Sequence, residues 1–281
     1  MAALLKPGQG PLDYGKRRWL RAVFVAVLVM LYTPILVLIA YSFNIQNRGG
    51  IWKGFTLENY AKAWHNSDLM SALLNSLSIA FISTIFATVI GAMVAVLLWR
   101  FRFPGKAAYE GAMALPIVIP EICMGVAMLL FYARTGMMTG MTHLPWPLNL
   151  GTIIIAHIAF CFPFVAVGVG SRLGGFNRPL AEASKDPGAR EGQTFTRILI
   201  PYMMPGLVAG ALLAFTLSLD DFVITFFTSG PETVTFPVKI YSMVKTGVKY
   251  EVNAASTILI VITIVATVIA MKLQAPDKAG H

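Results

Sequence analysis

The sequence predicts an all-α polytopic membrane protein with six transmembrane helices. Three observations predict it. Of the 281 residues, 57% are hydrophobic and 12% charged, where a soluble domain carries about 25% charged residues. Mean hydropathy is +0.70. The charges gather in short stretches that separate long apolar runs, and about 20 apolar residues suffice to cross a bilayer.

A polar tail, residues 1–21, precedes the first run, with Lys16, Arg17, Arg18 and Arg21 at its end. This resembles the start of a signal peptide. The uncharged run is too long for one, however, and no small-residue cleavage site follows, so an uncleaved signal anchor is expected over about 22–43. Pro34 is its candidate kink. Residues 44–68 read as a polar loop carrying Trp52, Phe55, Tyr60 and Trp64. The second span covers about 69–99, long enough to tilt or project beyond the bilayer. A basic turn with Arg100, Arg102 and Lys106 leads to a third span, about 109–133, which contains Pro116, Pro120 and Glu121. The fourth span covers about 150–171, the fifth 203–227 and the sixth 252–271, before a short tail, 273–281.

Six spans place both termini on one side. The tails, the 100–108 turn and the central loop, 172–201, hold fifteen of the 22 Lys and Arg residues, against seven in the other loops. The positive-inside rule therefore puts both termini and the central loop in the cytoplasm. That arrangement explains the net charge of +9 as membrane orientation rather than nucleic-acid binding. Cys123 and Cys161 both lie inside apolar runs and read as small buried residues. His157 reads as a buried polar contact and His143 as a loop residue.

The central loop, Gly174 to Pro201, is the long polar stretch between spans. Asn177 suits a helix N-cap and Pro179 the first turn. Ala181, Ala183 and Ser184 are small and permit close approach, and Pro187-Gly188 ends the helix. A short exposed helix able to meet a soluble partner is expected.

Three acids lie within the spans: Glu121 near the middle of the third, and Asp220-Asp221 toward the far end of the fifth. Asp220 lies roughly 25 Å beyond Met203 at the helical rise. A carboxylate in hydrocarbon costs at least about 2.5 kcal/mol and is a functional candidate by default. With no Lys or Arg at that depth, a cationic ligand is the economical partner. Neighbours on a helix point about 100° apart, so one of the two Asp residues is expected to face a central pathway. The competing structural roles are capping of a broken helix, a hydrogen bond to Ser218, or a packed protonated Glu121. Phe227 and Tyr241, which flank the acidic pair, are candidates for cation–π contact.

The central loop also carries a family pattern. Glu182-Ala183-Ser184, Gly188, Ile198 and Pro201 stand at the spacing of the EAA loop of ABC importer permeases, which runs EAA, three residues, Gly, nine residues, Ile-x-Leu-Pro. Ser184 replaces Ala and Ile200 replaces Leu, while Pro187 directly before the glycine shortens the helix. Ala214 to Pro231, Lys239 to Lys245, Tyr41 to Asn44 and His157 to Cys161 resemble the second permease subunit of bacterial spermidine/putrescine importers. Pro120-Glu121 stands where that family has Pro-Asp.

The resemblance implies a type I ABC importer permease fold in the bacterial inner membrane. It implies a non-catalytic subunit that translocates putrescine or spermidine from periplasm to cytoplasm. The implied partners are a second homologous permease, a cytoplasmic ATPase dimer that binds ATP and Mg, a periplasmic polyamine-binding protein and membrane lipid. No cofactor is expected in this chain, which lacks a GxxxxGK[ST] loop. The alternative is a proton-coupled secondary transporter of organic cations, with Glu121 and the Asp pair as its relay. An intramembrane aspartyl protease would need two carboxylates converging on one water, which this spacing does not offer.

Overall fold

The computed structural model describes residues 18–45, 51–139, 148–176, 191–245 and 250–274. Among them the secondary structure is helical apart from an isolated antiparallel bridge between Asn44 and Phe55. Five helices are long and apolar enough to cross a membrane, and six if one bent pair counts as a single span. Glu182, Ala183, Ser184 and Gly188, like His143, lie outside the described residues.

The chain divides into two compact units, Met1–Ala63 with Lys249–Thr257, and Trp64–Val248 with Ile258–His281. In the first unit, α1 (Arg18–Ser42) is continuous through Pro34. It exposes apolar side chains such as Phe24 and Met30 all round, as a helix in lipid does. Among the described residues, the segment that follows is tied by hydrogen bonds to the start of α2 (Glu58–His65). Buried Asn59 donates through Nδ2 to the carbonyls of Ser42, at 2.9 Å, and Asn44, at 2.8 Å. Asn44 donates to the Ile51 carbonyl and accepts from the Lys53 amide. Phe43 lies between Phe55 and Tyr60, each with ring centroids 5.1 Å away. The polar residues that mark this segment as a loop thus satisfy its own backbone, and its aromatics supply a small core.

The second unit is centred on α3 (Ser67–Arg100), α6 (Leu150–Gly174) and α7 (Ile200–Asp220). With 34 residues, α3 is about 51 Å long, well beyond the hydrocarbon thickness of about 30 Å. Small residues let the three backbones approach. A Cβ at Gly91 would lie 2.7 Å from both the Phe162 carbonyl oxygen and the Val165 Cβ. On α7, Gly206 and Gly210 form a GxxxG pair against Val165, Gly168 and Val169 of α6. Such pairs drive helix association in membranes, where burial of apolar surface gives little advantage over lipid. Ala87, Ala156, Val165, Val169, Met203 and Ala214 fill the core between them. Gly91→Ala is expected to destabilise the permease by about 1–3 kcal/mol, the usual cost of overpacking. Thermal unfolding of the purified protein in detergent measures it.

The third expected span departs from a single helix. It is α4 (Lys106–Val118) followed by α5 (Glu121–Thr139), bent by 110°. Pro120 is the physical reason. It has no N–H to continue α4, and it forces Ile119 into the extended region, where it is found with φ −72° and ψ 138°. Glu121 therefore lies in the first turn of α5 rather than in the middle of a continuous helix.

The fifth expected span is also interrupted. After Asp220, Asp221 is extended and a second short helix, α8 (Val223–Thr228), begins. At its other end, α7 continues a π-helical stretch, Phe195–Leu199. Pro201 cannot donate to the Arg197 carbonyl, which favours a widened turn there. The loop expected over 228–251 contains α9 (Phe236–Lys245). Its start is fixed on α3, where the Phe236 amide donates to Ser76 and Lys239 pairs with Asp68 at 2.8 Å. The last helix, α10 (Tyr250–Gln274), closes the described chain.

Candidate functional site

The site forms where α7 breaks. Asp221 is buried, and its carboxylate caps α8. One oxygen accepts from the Ile224 amide at 3.2 Å. The other accepts from the amide and hydroxyl of Thr225, both at 2.8 Å. This arrangement satisfies orphan amides at a helix N-terminus and sets the negative charge at the positive end of the helix dipole.

His157, one of the expected buried polar contacts, holds the same carboxylate from α6. Its Nε2 lies 3.3 Å from Asp221 Oδ2 and 3.0 Å from the Thr225 hydroxyl. Its Nδ1 lies 2.7 Å from the Ser218 hydroxyl. Ser218 meets Ser83 of α3 at 2.9 Å, and Ser83 donates to the Ile79 carbonyl. One connected polar network therefore ties α3, α6, α7 and α8 together at the break. His157 is 1% exposed and Asp221 7%, so the network is sealed inside the bundle. Of the structural roles open at the sequence level, Asp221 takes helix capping, while the bond to Ser218 is made by His157.

Asp220 is exposed. The two neighbouring acids thus have different environments: Asp221 turns into the core and Asp220 turns out of it. Glu121 is exposed as well, at the start of α5, where the helix dipole favours its charge. Among the described residues neither Glu121 nor Asp220 forms an ion pair with a basic side chain.

The α8 helix packs against α5. Phe227 lies over Gly125, one helical turn after Glu121: a Cβ there would lie 2.8 Å from Phe227 Cδ2. Phe226 meets Phe227 edge-on with centroids 5.5 Å apart, and Phe222 lies 5.6 Å from Phe226. The structure therefore brings Phe227 and Glu121 to one neighbourhood. Tyr241 packs on Phe222 at 4.8 Å, and Lys245 Nζ stands 4.6 Å from the Tyr241 ring centroid. The cation–π partner of Tyr241 in this structure is thus a lysine of the same chain.

Cys161 is buried as expected, with its thiol directed at the Ala214 carbonyl. Cys123, expected to be buried, is exposed in the first turn of α5, where the break at Pro120 replaces the continuous span expected. Of the expected coupling residues, Ile198 lies in the π-helical stretch and Pro201 at the start of α7. The central loop's ends are held by an aromatic trio that the sequence reading missed. Phe176 lies 5.7 Å from Trp99 and 4.8 Å from Tyr202. Two aromatics flanking a polar loop are the signal available in the sequence.

Comparison with known proteins places the chain in a family and a fold. Residues 87–276 match the family model of the binding-protein-dependent transport system inner membrane component. The chain is 43% identical over 262 residues to the spermidine/putrescine transport system permease protein PotC of Escherichia coli (strain K12), covering 93% of this chain and 96% of that protein. It is 37% identical over 245 residues to the putrescine transport system permease protein PotI of the same strain, covering 86% and 85%. Among solved structures, a bacterial alginate ABC transporter in complex with an alginate pentasaccharide-bound periplasmic protein aligns with TM-score 0.69 at 18% identity, over 91% of each chain. The MetNI methionine ABC transporter aligns with TM-score 0.59 at 22% identity, over 73% of this chain and 94% of that one. These two share the fold.

Proposed function

The chain belongs to the family of binding-protein-dependent transport inner membrane components, and from that premise we propose that it imports polyamines, putrescine or spermidine, as one permease of an ATP-driven transporter. It is a non-catalytic membrane subunit with the type I ABC importer permease fold. ATP and Mg are bound by a separate ATPase. The observation that carries the substrate assignment is local. Two exposed carboxylates, Glu121 and Asp220, stand at the broken ends of helices without a basic partner among the described residues. The chain is also 43% identical to a spermidine/putrescine permease.

The chemistry follows from the two breaks. A polyamine is a chain of ammonium groups on a flexible apolar stem. Exposed carboxylates at helix ends receive the charges, and the face of Phe227 receives an ammonium or the stem. Asp221 contributes by fixing α8 and with it Phe227. A second permease completes the pathway, and a periplasmic polyamine-binding protein delivers the substrate. The termini and the central loop face the cytoplasm, where Glu182, Ala183, Ser184 and Gly188 engage the ATPase dimer. Ile198 and Pro201 join that loop to α7, whose far end carries Asp220. Closure of the ATPase dimer is thereby transmitted along one helix to the site, and alternating access moves the cation inward.

Radiolabelled putrescine and spermidine uptake into proteoliposomes containing the assembled transporter tests this reading. The expected result is ATP-dependent uptake that requires the binding protein and survives a proton ionophore. Uptake by this chain alone, driven by a proton gradient and indifferent to ATP, would show a secondary transporter instead. Reversing a charge on the coupling helix, Glu182→Lys, is expected to lower uptake at least about tenfold, the loss of one charge-assisted contact, while ATP hydrolysis continues. Coupled uptake at the unmodified rate would remove Glu182 from the docking surface.

A further inference from the structure

The outer face of the α3–α7 pair carries a groove that the transport reading does not use. Its volume is about 500 Å³, and its walls include Val89, Met93, Val96 and Leu97 of α3 with Met203 and Leu207 of α7. It is open to the surroundings: Met93 is 67% exposed and Val89 54%. From Thr88 to Phe101 it runs for about 20 Å at the helical rise, somewhat more than one leaflet of a hydrocarbon core about 30 Å thick.

One end of the groove is basic. Phe101 closes it on the α3 side and Phe195 on the α7 side. The Arg100 guanidinium stands 6.0 Å from the Phe101 ring centroid. On α3, Arg100 continues the stripe formed by Met93 and Val96 at helical spacing. Arg102 and Arg197, next to and two residues beyond the closing phenylalanines, are both exposed. The opposite end carries no charge. An apolar slot of about one leaflet's length, closed at one end by phenylalanines that stand within two residues of three arginines, has the charge distribution of the complement to an anionic glycerophospholipid.

We infer that the α3–α7 groove is a binding site for an anionic phospholipid, whose acyl chain lies along Met93 and Leu207 and whose phosphate group meets Arg100, Arg102 and Arg197. The phosphate is held by guanidinium groups suited to bidentate contact. The lipid contacts α3 and α7 together, and so supports the pair whose α7 member joins the central loop to the break at Asp220. This inference does not depend on the transported substrate.

The test uses the assembled transporter in nanodiscs that contain either phosphatidylglycerol or phosphatidylcholine with a photoactivatable diazirine in the acyl chain. Adducts are mapped by mass spectrometry and normalised to the total number on the chain. The expected result is labelling of segments 88–101 and 195–207 with a preference for phosphatidylglycerol of at least about fivefold, the effect of a single basic residue near a charged lipid surface. Replacing all three arginines with glutamine is expected to abolish the preference, and Arg102→Gln alone to reduce it. Met93→Trp is expected to displace the acyl chain and lower labelling by both lipids. Equal labelling by the two lipids would reduce the groove to ordinary bilayer contact. Labelling seen only when the chain is reconstituted without its partners would show that another subunit covers the groove, and would also overturn the lipid site.

Discussion

Asp221→Ala is expected to remove most of the folded permease from the membrane, while Asp220→Asn leaves its abundance and thermal stability unchanged. The difference follows from burial. The Asp221 carboxylate accepts three hydrogen bonds from Ile224 and Thr225 and faces the ring of His157. Removing it leaves two α8 amides and a buried imidazole without their partner. Breaking one side of a buried pair of this kind costs about 3–5 kcal/mol, a large part of the margin that keeps a domain folded. His157→Ala is expected to act in the same direction and Ser218→Ala more weakly, since Ser218 forms fewer of the network's bonds. Abundance in membranes and unfolding temperature in detergent are the readouts. An Asp221→Ala protein of ordinary stability with a selective loss of uptake would return this residue to the pathway and remove its structural role.

The second large effect belongs to the exposed acids. Glu121→Gln with Asp220→Asn is expected to lower polyamine uptake by roughly ten- to a hundredfold, on the scale of one or two lost charge-assisted contacts. Both side chains are exposed at helix ends, so the amides fit the same space and the fold survives. ATP hydrolysis by the assembled transporter is expected to continue, because neither residue lies near the central loop. Single replacements separate the two positions. Glu121→Asp keeps the charge on a shorter side chain, so it is expected to retain more uptake than Glu121→Gln. If the double amide variant imports putrescine and spermidine at the unmodified rate, these carboxylates do not contact the substrate, and the cation must be recognised elsewhere.

The membrane architecture was legible because it rests on one-dimensional signals. Apolar runs long enough to cross a bilayer recovered the starts of the helices beginning at Arg18, Ser67, Leu150, Ile200 and Tyr250 to within a few residues. The loop expected over 44–68 was legible as polar and aromatic, but not the order of its described residues, which comes from Asn59 reaching back to Ser42 and Asn44. Likewise α9 read as loop. It is held by Ser76 and Asp68 of α3, which lie far away in sequence. The small-residue seam of α7 was present in the sequence as Gly206 and Gly210, yet only the packing on α6 shows which face it serves.

The candidate site was legible in composition but not in orientation. Three acids within apolar segments marked the candidate positions. A regular helix places neighbours about 100° apart, and this predicts different fates for Asp220 and Asp221 without saying which residue has which. The decision is made by Thr225 of α8 and His157 of α6, which meet the Asp221 carboxylate, with Ser218 of α7 holding the other side of the His157 ring. The position of Glu121 had a local cause, Pro120, whose missing donor and restriction of Ile119 divide the segment into α4 and α5.

By itself the sequence determined the membrane class, the family and the gathering of charges into short stretches between apolar runs. Each of these depends on residue type and on spacing along the chain, which hydrocarbon thickness and helical rise translate directly into structure. The tertiary structure alone decided which acid is buried, where two spans break, and that α3 and α7 enclose an apolar groove. Those outcomes depend on contacts between residues distant in sequence, where the balance of desolvation and hydrogen bonding is set only once the helices have packed.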